Sequence, residues 1–508
     1  LPGGDAGKAV DYATRAGDRA NEQLAYAEAA IQYERALQAL ELREPPDERL
    51  RCALLLKLGE AWSAGGSERT KEPLEEAAVL AERLRDPDLF VRAALALMGP
   101  GVGVFPVGEL NAVDLLERAL ATLPDRDSAL RAQVMGRLAG VGMFAGSPEG
   151  RDQLARTAIA MARRVGDARA LAYVLCATPW ATGGPDDIEE RLARADELIR
   201  LAAEARDERL AAEGHVWKVS YYLEIGDVAA ADREIDIQNR FAETSRQAFH
   251  RSVAALNRGT RALLEGRFDE GQALIQQALE LASVFQVGGD PLVNVQGFKN
   301  ILWEQQGRAD ELLPGLLSRA EAFPQVPVWR AAVAANRVAV GQTEAARRDL
   351  ESLAGNDFRD IPRDLAWLFV MWRLSDVVSF FGDAPRAALL YDLLLPYAGR
   401  CVIPSFSACR GSVSRSLGVL ATVLARYDEA ERHFEHALEM NARIRARIWV
   451  AHTQHDYARM LVARDGPGDR ERAGALSAQA LATAREVGMK PLAAKVVEVR
   501  AAAGFAEE

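Results

Sequence analysis

The chain has 508 residues, a hydrophobic fraction of 49%, a charged fraction of 27% and a formal net charge of −11. That length is more than one compact core serves, yet no shift in composition divides it, and this balance of apolar and charged residues excludes intrinsic disorder. Acids and bases are interleaved, so they read as solvated helix faces and i,i+4 pairs rather than the concentrated basic face of a nucleic-acid binder, and no direct nucleic-acid contact is expected.

The chain opens at Leu1 with Pro2-Gly3-Gly4, as an excised piece of something longer would. The segment from Gly3 to Ala9 falls short of a phosphate loop: Pro2 stands where the first glycine is required, and Ala9 where a Ser/Thr hydroxyl would hold Mg²⁺. The first predicted hairpin follows, with Ala13, Gly17 and Ala20 on one helix and Tyr26, Ala29, Tyr33, Ala36 and Leu37 on the next. Pro45-Pro46, Asp86-Pro87 and Pro124 punctuate the next helices, and the stretch 98–110 reads as an irregular loop. After Gly183-Gly184-Pro185, the acids Asp186 and Asp187 lead into an amphipathic helix over 188–205.

Turn glycines then recur at Gly226, Gly266, Gly307, Gly341 and Gly382, with successive differences of 40, 41, 34 and 41. Around Gly266 the hairpin carries Ala255, Gly259 and Ala262, then Phe268, Gly271, Ile275, Ala278 and Leu279. The copy at 414–438 carries Leu417, Gly418 and Ala421, then Tyr427, Ala430, Phe434, Ala437 and Leu438. Small residues at a helix crossing let two backbones approach, and an aromatic plugs the hole that remains. Fixed-period recurrence of this kind marks a solenoid, whose length is not limited by a single core. The expected fold is all-α, a right-handed α-solenoid of about 12 helical hairpins, with no strand of useful length. It reads as one continuous array over 1–508, with two sub-arrays, 1–165 and 166–508, as a variant organisation.

These hairpins resemble the tetratricopeptide repeat, whose standard unit is about 34 residues. The wording is further similar to the long carboxy-terminal, MalT-like helical region of bacterial, especially actinobacterial, AAA/STAND signal-transduction ATPases. These include large LuxR-type regulators and cyclase–ATPase fusions. The matching phrases are Ala9-Val10-Asp11-Tyr12-Ala13, Arg261-Ala262-Leu263-Leu264-Glu265-Gly266-Arg267-Phe268 and Tyr391-Asp392-Leu393-Leu394-Leu395-Pro396-Tyr397. The resemblance implies a sensor, scaffold or autoinhibitory arm in signal transduction or transcription regulation. It also implies an ATPase module elsewhere in the parent protein and an inducer bound inside the superhelix as the rival reading.

Chemistry of other kinds is thin. No HExxH is present, Gly411-Ser412-Val413-Ser414-Arg415 lacks the last glycine of a nucleophile elbow, and none of the six histidines has an obvious Ser or Cys partner. An enzyme is not expected, nor a cofactor. The pairs His433/His436 and His452/His455 each share a helix face, which would suit a metal, but separate polar roles are the plainer reading and no metal is expected. Arg443, Arg445, Arg447, Arg459 and Arg464 read as exposed helix surface. Cys52, Cys176, Cys401 and Cys409 form no CxxC, so neither a zinc ribbon nor a redox pair is indicated. No signal peptide opens the chain and the apolar run 365–372 is too short to span a bilayer, so a cytoplasmic protein with no membrane contact is expected.

The surface left for function is the concave groove, lined by the first helix of each hairpin. Repeat position places Glu224, Asn294, Gln305, Trp372, Asp376, Phe380 and Arg415 there. Trp372, Asp376 and Phe380 fall one turn apart on one helix. An aromatic and amide-rich trough of this sort suits a protein or peptide partner, whereas a closed apolar pocket with a few polar groups would suit a small inducer.

Overall fold

The computed structural model describes residues 6–45, 47–99, 112–141, 148–245, 248–282, 292–404 and 408–505. Among them are twenty-six α-helices and no strand; the one β-bridge joins Cys401 to Ser412. Twenty-four helices pair as twelve hairpins. The first four are α1 (Ala6–Glu22) with α2 (Tyr26–Leu40), α3 (Glu48–Ala64) with α4 (Lys71–Leu84), α5 (Pro87–Met98) with α6 (Ala112–Thr122), and α7 (Ala129–Val141) with α8 (Pro148–Val165). Next come α9 (Ala168–Ala177) with α11 (Ile188–Glu204), split by the one-turn α10 (Pro179–Thr182), then α12 (Glu208–Glu224) with α13 (Val228–Ser245) and α14 (Ala248–Leu264) with α15 (Phe268–Ala282). The last five are α16 (Leu292–Gln306) with α17 (Ala309–Ala322), α18 (Pro327–Ala339) with α19 (Thr343–Leu353), α20 (Trp367–Phe381) with α21 (Ala384–Leu394), α22 (Val413–Val423) with α23 (Tyr427–Arg443), and α24 (Arg447–Arg464) with α25 (Asp469–Val487). A single helix, α26 (Lys490–Ala502), ends the array. Apart from Met98 and Gly99, the stretch 98–110 lies outside the described residues.

The hairpins are tetratricopeptide-like in their packing. A Cβ placed on Gly418 of α22 would lie 2.8 Å from the ring of Phe434 on α23, and one on Gly17 of α1 would lie 2.6 Å from Tyr33 on α2. Glycine is therefore what lets each aromatic seat itself between the two helices. The five turn glycines all take left-handed φ, from +61° at Gly382 to +82° at Gly266. In the copies that lack a turn glycine, Leu24 and Ala425 accept the same region, at φ +60° and +54°.

The array does not stay open. Arg363 of the segment before α20 bonds Asp186 across 177 residues, Arg261 Nη1 donates to the carbonyl of Ile444 at 3.0 Å across 183, and His452 meets Gln305 at 2.8 Å across 147. Tyr397 donates to Asp186 across 211 residues. Early partners meet late partners in the same chain order, at a roughly constant separation. A fold-back would give separations that shrink toward a bend; a constant offset means that each superhelical turn stacks on the one before. One large apolar core accordingly draws on helices from Ile188 to Val496, with a separate small cluster between α17 and α18, while the helices from α1 to the start of α12 form smaller clusters of their own.

The crossing predicts its own sensitivity. Gly418→Val drives a side chain into Phe434 and should cost about 1–3 kcal/mol. Gly297→Ala on α16, where a Cβ meets nothing within 4 Å, should be neutral or stabilise by up to about 1 kcal/mol. Denaturant midpoints of the two variants check this, and equal losses would contradict the packing described.

Candidate functional site: a chamber inside the last turn

The final turn runs from α16 to α26, which comes back onto α16 and α24 and completes a ring. Inside it lies a cavity of about 930 Å³. Its wall is built by the first helices α16, α18, α20, α22 and α24, with α26 closing it and the start of α17 at the rim. Helix α20 contributes Trp372, Asp376 and Phe380 at one-turn intervals, and α24 contributes Trp449, His452, His455 and Asp456. Trp372 and Trp449 meet edge to face, centroids 5.8 Å apart, and His452 stacks on Trp449 at 5.0 Å. Both tryptophans are buried, so they form the wall rather than project from it.

Two ionic clusters stand at different heights of this wall. In the first, Glu304 of α16 accepts from Arg410 at 2.6 Å and from Arg373 of α20, and both guanidinium groups lie over the Trp372 ring. Burial alone would raise the Glu304 pKa, but the two cations outweigh it and hold the carboxylate below its usual range. Arg410 is lowered to about 10, chiefly by burial and against the pull of Glu304. In the second, Arg415 of α22 faces Asp456 at 2.8 Å and Asp376 at 3.4 Å. Burial opposes ionisation of Asp456, yet Arg415 and its neighbours keep its pKa low. Burial pushes both wall histidines down, His452 well below the ordinary imidazole value and His455 to about 4, so both are neutral near pH 7.

Five of the seven residues that the sequence assigned to the groove meet in this chamber: Gln305, Trp372, Asp376, Phe380 and Arg415. Phe380 is the exposed one, at 53%. Glu224 lies elsewhere, buried in a two-pronged pair with Arg191 at 2.8 and 2.9 Å, while its carbonyl accepts from Cys401. The Asn294 side chain lies outside those described. Sequence reasoning missed Glu304, Asn336, Arg373, Trp449 and Asp456. Adjacency to Gln305 and Trp372 was the available signal for two of them.

The histidine pairs are taken up separately. His433 bonds Tyr391 and His436 meets Ser414, while His452 meets Gln305. The contact with His436 gives one histidine a serine partner that spacing had not suggested. It is not a nucleophile pair, because Ser414 Oγ is buried and donates to the Ala398 carbonyl, leaving it to accept from His436. Among the described residues, no group of three or more His, Cys, Asp or Glu side chains is arranged to hold a metal ion, and no helix is long and apolar enough to cross a membrane. The arginines near α24 are dispersed: Arg445 pairs with Asp232, Arg447 with Glu486, Arg464 with Glu431 and Asp469. The four cysteines are buried free thiols; Cys401 and Cys409 share a hydrogen bond that their spacing did not announce, because the Val402 backbone pairs with Arg410 and Gly411.

No protein-family model matches the chain, and no curated protein does. Among solved structures it is similar to the APC/C hetero-tetramer Cut9-Hcn1, at 13% identity and TM-score 0.43 over 97% of this chain and 94% of that one. It is also similar to Naa15/Naa10 bound to HypK-THB, at 11% identity and TM-score 0.27 over 97% and 94%.

Two outcomes follow from the wall. Trp372→Ala empties a buried site and should cost about 3–5 kcal/mol in a chemical melt. A loss under about 1 kcal/mol would mean that the ring is not part of the wall packing. The second concerns acid. His250, lowered to about 3 by burial between Phe241 and Phe249, joins His452 and His455 in titrating below an unfolded imidazole. The unfolded chain then takes up these protons first. Stability is complete above about pH 6.5 and is lost as pH falls toward the folded values. Urea midpoints should drop between about pH 7 and pH 5, and a flat profile across that window contradicts this.

Proposed function

We propose that this chain is a non-catalytic regulatory sensor that takes a small ligand inside the closed last turn of its superhelix. The observation that carries the reading is closure. With α26 seated on α16 and α24, the inner helices form a complete ring around about 930 Å³, a volume suited to one small molecule and its contacts. Of the two sequence readings, a protein- or peptide-binding arm and an inducer-binding domain, a walled chamber with aromatic faces and a few convergent polar groups supports the second. In a parent protein, occupancy would be felt across the contacts between stacked turns and passed along the array to an attached ATPase or transcriptional output module in the cytoplasm.

The protein-binding reading draws on a different surface. Tyr12, Leu24, Leu42 and Val79 in the first two hairpins are 67%, 55%, 64% and 68% exposed, which is unusual for apolar side chains gathered near one end of an array. A protein partner, such as the ATPase module, would dock there and not in the chamber.

Ligand screening by thermal shift, with native mass spectrometry for stoichiometry, tests the sensor reading. Ligands should bind one per chain. Ala339→Trp, which plugs the chamber from an exposed position at the end of α18, should abolish their effect while leaving the unliganded melt unchanged. Ligands that shift Ala339→Trp as strongly as the wild type would show that the chamber is not the site.

A further inference from the structure

Resting on the sensor reading, the charge layout of the chamber narrows its ligand. The cluster of Glu304, Arg373 and Arg410 carries one negative and two positive groups, a net of +1, with Glu304 and Arg373 on the lining and Arg410 buried behind them. The cluster of Arg415, Asp376 and Asp456 carries one positive and two negative groups, a net of −1. Arg459 approaches Asp456 at 3.9 Å, but its side chain is 53% exposed and screened by water. The remaining charged groups on the lining, Asp310, Lys495 and Glu498, are exposed at the rim. The two wall histidines add no charge. The chamber therefore has a positive pole and a negative pole, each short of one counter-charge.

The poles are close. Arg373 and Asp376 are three residues apart on α20, about 4.5 Å along the helix axis. The aromatic pair Trp372 and Trp449 flanks them. On the neighbouring helix α18, Asn336 is 2% exposed, its Nδ2 donates to the Ala332 carbonyl at 2.9 Å, and its Oδ1 has no hydrogen-bond partner. A buried acceptor left open beside a cavity asks for a donor from whatever fills it.

We infer that the chamber takes a zwitterion with an apolar body, an apolar amino acid or a short peptide with free termini, its carboxylate toward Arg373 and its ammonium toward Asp376 and Asp456. The termini of one to three residues span from a few ångströms to about 10 Å, a range that includes the rise of about 4.5 Å between Arg373 and Asp376. A purely cationic or purely anionic ligand answers one pole and leaves the other uncompensated in a partly desolvated site. A neutral sugar answers neither. The side chain lies against Phe380 and Val338 on the lining, and in a di- or tripeptide a peptide N–H supplies the donor that Asn336 lacks.

Isothermal titration and intrinsic tryptophan fluorescence on the full chain test this. The probes are phenylalanine, leucyl-phenylalanine and alanyl-leucyl-phenylalanine, their N-acetyl and C-amide forms, and phenyl β-glucoside as an uncharged aromatic. At least one free-termini probe should bind, and capping either end should weaken it about tenfold or more. Asp376→Asn, at a side chain one-third exposed and so tolerant of change, should weaken the free peptide about tenfold yet leave its N-acetyl form unaffected. Capped and free peptides binding alike would overturn the inference, as would an Asp376→Asn protein with unchanged affinity. Binding of the glucoside but of no peptide, lost in Ala339→Trp, would sink the zwitterion and keep the sensor. Failure of every probe, with Ala339→Trp indistinguishable from wild type throughout, would remove both.

Discussion

The carboxylate of Glu304 is the point on which the closed turn depends. It sits on α16 and is held by Arg373 of α20 and by Arg410 in the loop before α22, 69 and 106 residues away. Three ionised groups drawn out of water cost a great deal unless each finds its partner. Here a single acid answers two guanidinium groups, and both of these also lie over the Trp372 ring. The arrangement fixes where α16, α20 and the loop into α22 stand relative to one another. With those three placed, α24 can bring His452 to Gln305 and α26 can close on α16. Removing the acid would strand two buried cations, so the geometry is held by what the alternative would cost rather than by a large net gain.

From that seam the character of the molecule changes along its length. The amino-terminal hairpins behave as a simple stack, each apolar cluster shared with near neighbours. From α11 onward, stacked turns share one large core, with only the α17–α18 contact forming a cluster of its own. In a plain solenoid, stability is a sum of nearest-neighbour terms. Here, contacts spanning 147 to 211 residues add a second dimension, and the carboxy-terminal two-thirds should unfold as a larger cooperative unit than any pair of repeats. The chamber lies within that unit, so filling it bears on contacts far apart in sequence.

The charges of the wall are matched locally and unmatched by cluster. Arg415 is shared between two acids and Glu304 between two bases. Each cluster is closely ion-paired, which is why Glu304 and Asp456 stay ionised despite burial, yet each keeps a residual charge of opposite sign a helical turn from the other. Neutral His452 and His455 leave that polarity intact.

The sequence by itself determined everything that depends on near neighbours. Gly17 with Tyr33 and Gly418 with Phe434 were legible as helix crossings because the partners sit about 16 residues apart in one hairpin, and spacing alone places them together. The left-handed glycines were legible for the same reason, since a turn's backbone conformation is a local matter. Trp372, Asp376 and Phe380 could be assigned to one face because helical periodicity does not depend on tertiary context. Tertiary structure alone decided that the superhelix closes, that Glu224 is spent on Arg191 outside the chamber, and that Glu304, Trp449 and Asp456 belong inside it. Those placements rest on small per-repeat rotations that accumulate over about five hairpins, and on ion pairs between turns whose members carry no mark of one another in the sequence. A residue's side of its helix is a local property; what stands opposite it after a full turn is a sum over every crossing in between.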